Sequence, residues 1–262
     1  MIDAGDNLKV IANVAVGYDN IDVPYAKSKG VAVTNTPGVL TEAVAELTWA
    51  LILGLARRIG EGERIIRSGR WKGWALDFLL GMELRGKQLG IIGMGAIGRA
   101  VAAKASAFGM RVASATRATG ASQAPRHGQP ADAEAMPLDR LLVTSDVVSL
   151  HVPLTPETKH LIDQRALTRM KRTALLINTA RGPVVDEAAL VWALNERLIA
   201  GAALDVFECE PTLQLGLVEL ENVLLAPHIA SATIETRTEM AALAVSNVLA
   251  VLAGQPALTP VG

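Results

Sequence analysis

Apolar positions along the chain fall into short β-branched runs separated by longer stretches with helical spacing. The first run, LKVIANV at 8–14, stops at Gly17, and a second, VAVTN at 31–35, ends before Pro37, so both read as strands with a short helix between them. Residues 41–59 open on Thr41, a candidate N-cap, and carry apolar residues at helical spacing with few polar breaks. Such a helix is expected to be buried on more than one side, under a domain or against a second subunit. The segment WKGWALDFLLG at 71–81 gathers two of the four Trp and one of the three Phe, as a packing surface does.

From Lys87 the pattern becomes a regular alternation of strand and helix. QLGIIGMG leads into a helix at 96–108 and a strand at 111–115; VVSLHVPL (147–154), ALLINTA (174–180), GAALDVF (201–207) and NVLLAPH (222–228) are four further strands. Helices are expected at 163–170 and 186–197, a surface loop with a short helical piece at 118–135, and a last Ala-rich helix at 233–252. This order predicts an α/β protein with a doubly wound parallel sheet, the Rossmann arrangement. The length of 262 residues suits one large unit or two unequal domains.

Composition narrows this further. Half of the residues are hydrophobic but only 3% are aromatic, so the core must be built from Ala, Val, Leu and Ile, as covered parallel sheets are. Lys plus Arg total 25 against 26 for Asp plus Glu, which leaves no electrostatic footprint for nucleic acid or anionic lipid and points to a small-molecule partner. The single Cys209 allows neither an internal disulfide nor a zinc cluster. The opening MIDAGDNLK lacks the apolar stretch of a signal peptide, and runs such as 47–56 are too short to span a bilayer, so a soluble, cytoplasmic protein is expected.

Gly93, Gly95 and Gly98 form G-x-G-x-x-G where the strand QLGII meets the next helix. The first glycine permits a tight turn, the second a close backbone approach to a pyrophosphate, and the third close packing of helix on strand. The helix start at Ala96 and Ile97 then offers its N–H groups and positive dipole end to phosphate. An NAD site normally has an acid about 20 residues on, for the ribose 2′-hydroxyl. None occurs here between Gly98 and Arg117, and Thr116 and Arg117 supply a hydroxyl and a fixed cation suited to a 2′-phosphate. NADP(H) is therefore favoured over NAD(H), the alternative being that Arg117 is an ordinary solvated charge.

Three strand ends carry unusual polar groups: Arg181 after ALLINTA, Glu210 after GAALDVF, and His228 after NVLLAP. The carboxyl ends of strands face the ligand crevice in open α/β sheets, so these groups are expected to converge. Reducing a 2-keto acid needs a proton donor at the carbonyl oxygen and a cation for the carboxylate. His228 and Arg181 fit those roles, and Glu210 beside the histidine favours the imidazolium. Each residue taken singly also has an ordinary structural reading. Two roles stay open for Asp205, accepting a hydrogen bond from a nicotinamide carboxamide or capping the turn that follows it, and two for His151, lining the cofactor crevice or packing as a structural histidine. No histidine is arranged to activate Cys209 as a nucleophile.

Taken together, NVAVGYDNID, NTPGVLTEAVAEL, GIIGMGAIG, SLHVPLTPET, LINTARGPVVDEAAL, GAALDVFECEP and LLAPHIASAT resemble the D-isomer-specific 2-hydroxyacid dehydrogenases, collinearly over most of residues 8–235. The resemblance is closest to the glyoxylate/hydroxypyruvate reductase branch. It implies that Arg181, Glu210 and His228 are the catalytic residues, that N–H groups around Val16 and Gly17 bind the substrate carboxylate, and that Asp205 contacts the nicotinamide. It further implies a homodimer joined through the 41–59 helix and the segment of Trp71 and Trp74. The expected domains are a dinucleotide-binding one at 36–230 and a flavodoxin-like partial substrate domain made of 1–35 and 231–262. Family members carry roughly half a substrate domain ahead of the position matching Met1, an expectation that keeps a cofactor-binding regulatory protein without turnover as a rival. Other acids of the same family, such as D-lactate, 3-phosphoglycerate or phosphite, are the alternative substrates.

Overall fold

The structure, a computed structural model, describes residues 2–5, 7–116 and 133–262. The chain divides into two compact units, Met1–Ala43 with Ser231–Gly262, and Val44–Ala230.

In the smaller unit, β1 (Val10–Ala12) and β2 (Ala32–Thr34) pair in parallel, with α1 (Val23–Ser28) crossing between them. Asp22 caps α1 by accepting from the N–H of Tyr25. Val23, Ala26, Val31 and Val33 form the local core. The C-terminal helix α8 (Ile234–Leu252) packs on β1, its start capped by Thr233, which accepts from the N–H of Thr236. Buried Asn247 on α8 donates to Thr259 Oγ1 at 2.9 Å and accepts from the N–H of Thr259 at 3.0 Å, fixing the chain's last turn to the helix.

The larger unit begins within α2 (Thr41–Ala56) and continues through α3 (Ile59–Arg67). The helix expected over 41–59 thus stops at Ala56, and a second one starts after Arg58, whose φ of 54° is left-handed and breaks the run. Then follow β3 (Gln88–Ile92), α4 (Ala96–Lys104), β4 (Arg111–Thr116), β5 (Glu134–Pro137), α5 (Leu138–Thr144), β6 (Val147–Leu150), α6 (Gln164–Arg169), β7 (Leu175–Asn178), α7 (Glu187–Asn195), β8 (Gly201–Leu204) and β9 (Val223–Leu225). The helix expected to reach 108 tightens into a 3₁₀ turn at Ala105–Phe108. Glu134 to Pro137 form an edge strand where the sequence suggested a loop, since a short pairing with β4 shows no alternation of its own.

Among the described residues, the seven strands of the larger unit run parallel in the order β5-β4-β3-β6-β7-β8-β9. The central strands are buried on both faces, and their residues alternate between two apolar layers. Leu175 and Ile177 join Trp49, Ile52 and Val101 on one side, while Leu176 joins Leu142, Leu150 and Leu190 on the other. This doubly wound sheet reverses direction between β3 and β6, and ligands bind such folds in the crevice at the carboxyl ends beside that reversal.

Candidate functional site

The glycine turn occupies the reversal point. Gly93 follows β3 with φ of 103°, and a Cβ there would lie 2.5 Å from the carbonyl oxygen of His151, so only glycine fits. Gly98 packs α4 onto the same turn, since a Cβ on it would come within 2.1 Å of the Gly93 carbonyl. Gly95 faces open space and caps α4 with no side-chain hydrogen bond, which leaves the first amides of the helix, at Ala96 and Ile97, facing outward for an anion. This geometry fits a dinucleotide pyrophosphate. Arg99 braces the turn by donating to the Met94 carbonyl at 3.0 Å.

His151 sits across the reversal, after β6. Its N–H donates to Ile92 at 2.7 Å, Nε2 lies 2.9 Å from Ser149 Oγ, and Nδ1 is buried with no partner among the described residues. Burial pushes this imidazole down to about 3, so it stays neutral. The second strand of the cofactor half ends at Thr116; Thr116's side chain and all of Arg117 lie outside the described residues, as does the expected loop from 118 to 132.

The other candidates rise from β7, β8 and β9, which lie side by side with Asn178, Leu204 and Leu225 in register at their carboxyl ends. Arg181 leaves β7 on a turn built by Asn178, whose side chain donates to the Arg181 carbonyl at 2.9 Å and accepts from the N–H of Ala180 at 3.0 Å. The guanidinium donates to the Ala180 carbonyl at 2.8 Å.

Glu210 and His228 come together. His228 Nδ1 lies 2.8 Å from Glu210 Oε2, and Glu210 Oε1 accepts from the N–H of Phe207 at 2.9 Å. A carboxylate only accepts, so Nδ1 carries the proton. That leaves Nε2, which has no partner among the described residues, as the exchanging atom, and the imidazole is 53% exposed. The backbone of His228 is left-handed, φ 53°, a strained state for a non-glycine residue.

What holds that strain is Asp205, fully buried at the end of β8. Its two oxygens accept from the N–H groups of Ile229 and Ala230, each at 2.8 Å, and its carbonyl accepts from the N–H of His228 at 2.9 Å. Burial pushes the Asp205 carboxyl up and these amide bonds pull it back, the burial prevailing. These bonds hold the turn that presents His228.

In the smaller unit, the loop after β1 is drawn tight by asparagines. Asn13 donates to the Gly17 carbonyl at 2.6 Å, and Asn35 to the Val16 carbonyl at 2.8 Å. With those carbonyls occupied, the N–H groups of Val16 and Gly17 have no intramolecular acceptor among the described residues. Sequence reasoning passed over Asn13, Asn35 and Asn178; their signal was an amide side chain next to a strand end.

A parallel doubly wound sheet with an uncapped glycine turn at its reversal defines a dinucleotide-binding architecture. The NAD binding domain of the D-isomer specific 2-hydroxyacid dehydrogenases matches residues 49–230, and the chain belongs to that family. It is 53% identical to the glyoxylate reductase of Thermofilum pendens, over 98% of this chain and 76% of that protein. Among solved structures it is similar to an NADPH-dependent glyoxylate/hydroxypyruvate reductase from Sinorhizobium meliloti in complex with NADP and malonate, with 40% identity, a TM-score of 0.89 and coverage of 100% and 80%. It is also similar to D-lactate dehydrogenase from Aquifex aeolicus complexed with NAD and lactic acid, with 36% identity, a TM-score of 0.85 and coverage of 97% and 79%. The chain is thus an oxidoreductase that uses a nicotinamide cofactor. Among the described residues, no helix is long and apolar enough to cross a membrane.

Proposed function

We propose that this protein reduces a small 2-keto acid, glyoxylate or hydroxypyruvate, to the 2-hydroxy acid with NADPH. The observation that carries the reading is the Glu210–His228 pair, 2.8 Å apart at the carboxyl edge of the sheet, with Nε2 open. The glyoxylate reductases at about half identity support this substrate over lactate.

Gly93, Gly95, Ala96, Ile97 and Gly98 would hold the pyrophosphate of the reduced cofactor, which when bound would supply the hydride. His228 Nε2 gives a proton to the substrate's carbonyl oxygen. Glu210 holds Nδ1–H and fixes the ring so that Nε2 faces the substrate. Arg181 offers a planar cation to the carboxylate and carbonyl of the keto acid. Asp205 acts through the His228 turn. In the smaller unit, the amides of Val16 and Gly17 are the proposed carboxylate donors. Preference for NADPH rests on Thr116 and Arg117 and on the lack of an acid between Gly98 and Arg117. The protein is proposed to work as a homodimer: Trp71, Trp74 and Leu76 are 54%, 83% and 82% exposed, an apolar stretch that a second copy would cover.

The test is oxidation of NADPH and of NADH with glyoxylate, hydroxypyruvate and pyruvate, with cofactor binding read by fluorescence on the same sample. Turnover highest with NADPH and glyoxylate or hydroxypyruvate is expected. His228→Ala should remove about 10²–10⁴-fold of kcat, the usual worth of a general acid, and leave cofactor binding nearly intact. Arg117→Asp should move preference toward NADH. Binding without turnover of any keto acid would sink the reading, and an unshifted preference would remove the role of Arg117.

A further inference from the structure

Three loops at the carboxyl edge of the larger sheet are tied together by a second cluster of titratable side chains that the proposed chemistry leaves unused. After β6, the N–H of His160 donates to the Pro183 carbonyl at 2.8 Å and that of Ile162 to Val184 at 3.1 Å, so this loop runs beside the residues that follow Arg181. The His160 backbone is left-handed, φ 51°. Its Nε2 lies 2.5 Å from Glu208 Oε1, in the loop after β8. Glu208 is in turn held at both ends by Glu187, the first residue of α7. The N–H of Glu208 donates to Glu187 Oε1 at 2.8 Å, and the N–H of Glu187 donates to Glu208 Oε2 at 3.3 Å.

The position of this segment bears directly on Glu210, because the N–H of Phe207 is one of the two groups that hold the Glu210 carboxylate. The arrangement is costly. Glu187 is 2% exposed, and burial, with Glu208 and Glu210 nearby, pushes its carboxyl above the ordinary range. The His160 and Glu208 side chains are 37% and 24% exposed, and a polar contact that open to water contributes little to stability. Burying one acid beside two others for so small a return in stability is a local conflict of the kind found at functional sites.

We infer that His160, Glu187 and Glu208 form a positioning brace that sets the Glu210 carboxylate, and through it the His228 ring, in register with the Arg181 turn. None of the three touches the reacting atoms; they act through the backbone of Phe207 and Glu208, whose N–H groups donate to Glu210 and Glu187 respectively. This inference rests on the proposed roles of Glu210 and His228.

The experiment compares His160→Ala, His160→Gln and Glu208→Ala with the wild type, reading kcat and KM for glyoxylate, cofactor affinity, thermal melting, and the NMR signal of the His228 Nδ1–H. His160→Ala and Glu208→Ala should lower kcat roughly tenfold or more, the effect of misplacing a reacting group by less than an ångström. Cofactor affinity should stay within about twofold, melting should hardly move, and the His228 signal should shift or broaden. His160→Gln, which can still donate to Glu208, should recover most of kcat. Unchanged kcat with an unchanged His228 signal would overturn the brace, and so would a loss of melting temperature that accounts for the lost activity. If the wild type reduces no keto acid, the proposed function falls, and the His228 signal alone then decides the brace: a shift in His160→Ala supports it and no shift refutes it.

Discussion

Gly182→Ala is the most direct perturbation of the geometry at the carboxyl edge. A Cβ on Gly182 would lie 1.9 Å from both the carbonyl carbon and the carbonyl oxygen of Phe207 and 2.5 Å from the nitrogen of Glu208. Ordinary contact begins at 3.4 Å, so the Arg181 turn and the Phe207–Glu208 peptide must separate by about 1.5 Å to admit one methyl group. Neither side yields cheaply. The turn is held by Asn178, the N–H of the peptide by Glu187, and the N–H of Phe207 just before it by Glu210. Forcing extra volume into a packed site costs about 1–3 kcal/mol, a drop of a few degrees in melting temperature for a unit of this size. The larger effect is on chemistry. The N–H of Phe207 orients Glu210, so a shift of an ångström or more should lower kcat roughly 10²-fold while the glycine turn at Gly93 still binds cofactor. Stopped-time assays of reduced cofactor with glyoxylate, a cofactor titration and a melting curve on one preparation read all three quantities. Wild-type kcat together with wild-type melting in Gly182→Ala would refute the idea that contact between these two loops sets the site.

Three further outcomes are expected. Asp205→Asn keeps one oxygen but turns an NH₂ toward an amide donor beside buried Ala230, so it should cost about 1–3 kcal/mol and lower kcat by releasing the His228 turn; urea titration and kinetics check both. Glu187 has its carboxyl raised above 4.5, so the stability it permits is fully present below pH 4.5 and is lost as pH rises through the folded value. Glu187→Gln lacks that loss, and its melting temperature relative to wild type should climb from acid to neutral pH; a constant difference would show that the carboxyl is not perturbed. His151 is lowered from 6.5 to about 3, so its contribution is present above pH 6.5 and lost as pH falls toward 3. His151→Gln should flatten the acid limb of a urea-midpoint profile, and an equally steep limb would place the acid sensitivity elsewhere.

Local pattern by itself determined much of this protein. The β-branched runs and the 3.6-residue spacing marked six of the seven strands of the large sheet, and GMGAIG marked the turn that would meet phosphate, because those signals lie within a few residues of one another. Arg181, Glu210 and His228 were legible as polar groups just past strand ends. Tertiary structure decided what depends on strand order and on loops meeting. The 2.8 Å contact of Glu210 with His228 joins residues 18 apart, and that of His160 with Glu208 joins residues 48 apart. No periodicity encodes either one; both exist because parallel strands bring the ends of successive crossovers to one edge. The edge strand β5 and the break of the long helix at Arg58 were hidden for a related reason, since one is made by pairing with β4 and the other by a single left-handed residue. Asp205 shows the difference in one side chain: the sequence puts an acid at the end of β8, and only the arrival of the loop after β9 gives its two oxygens the amides that hold His228 in place.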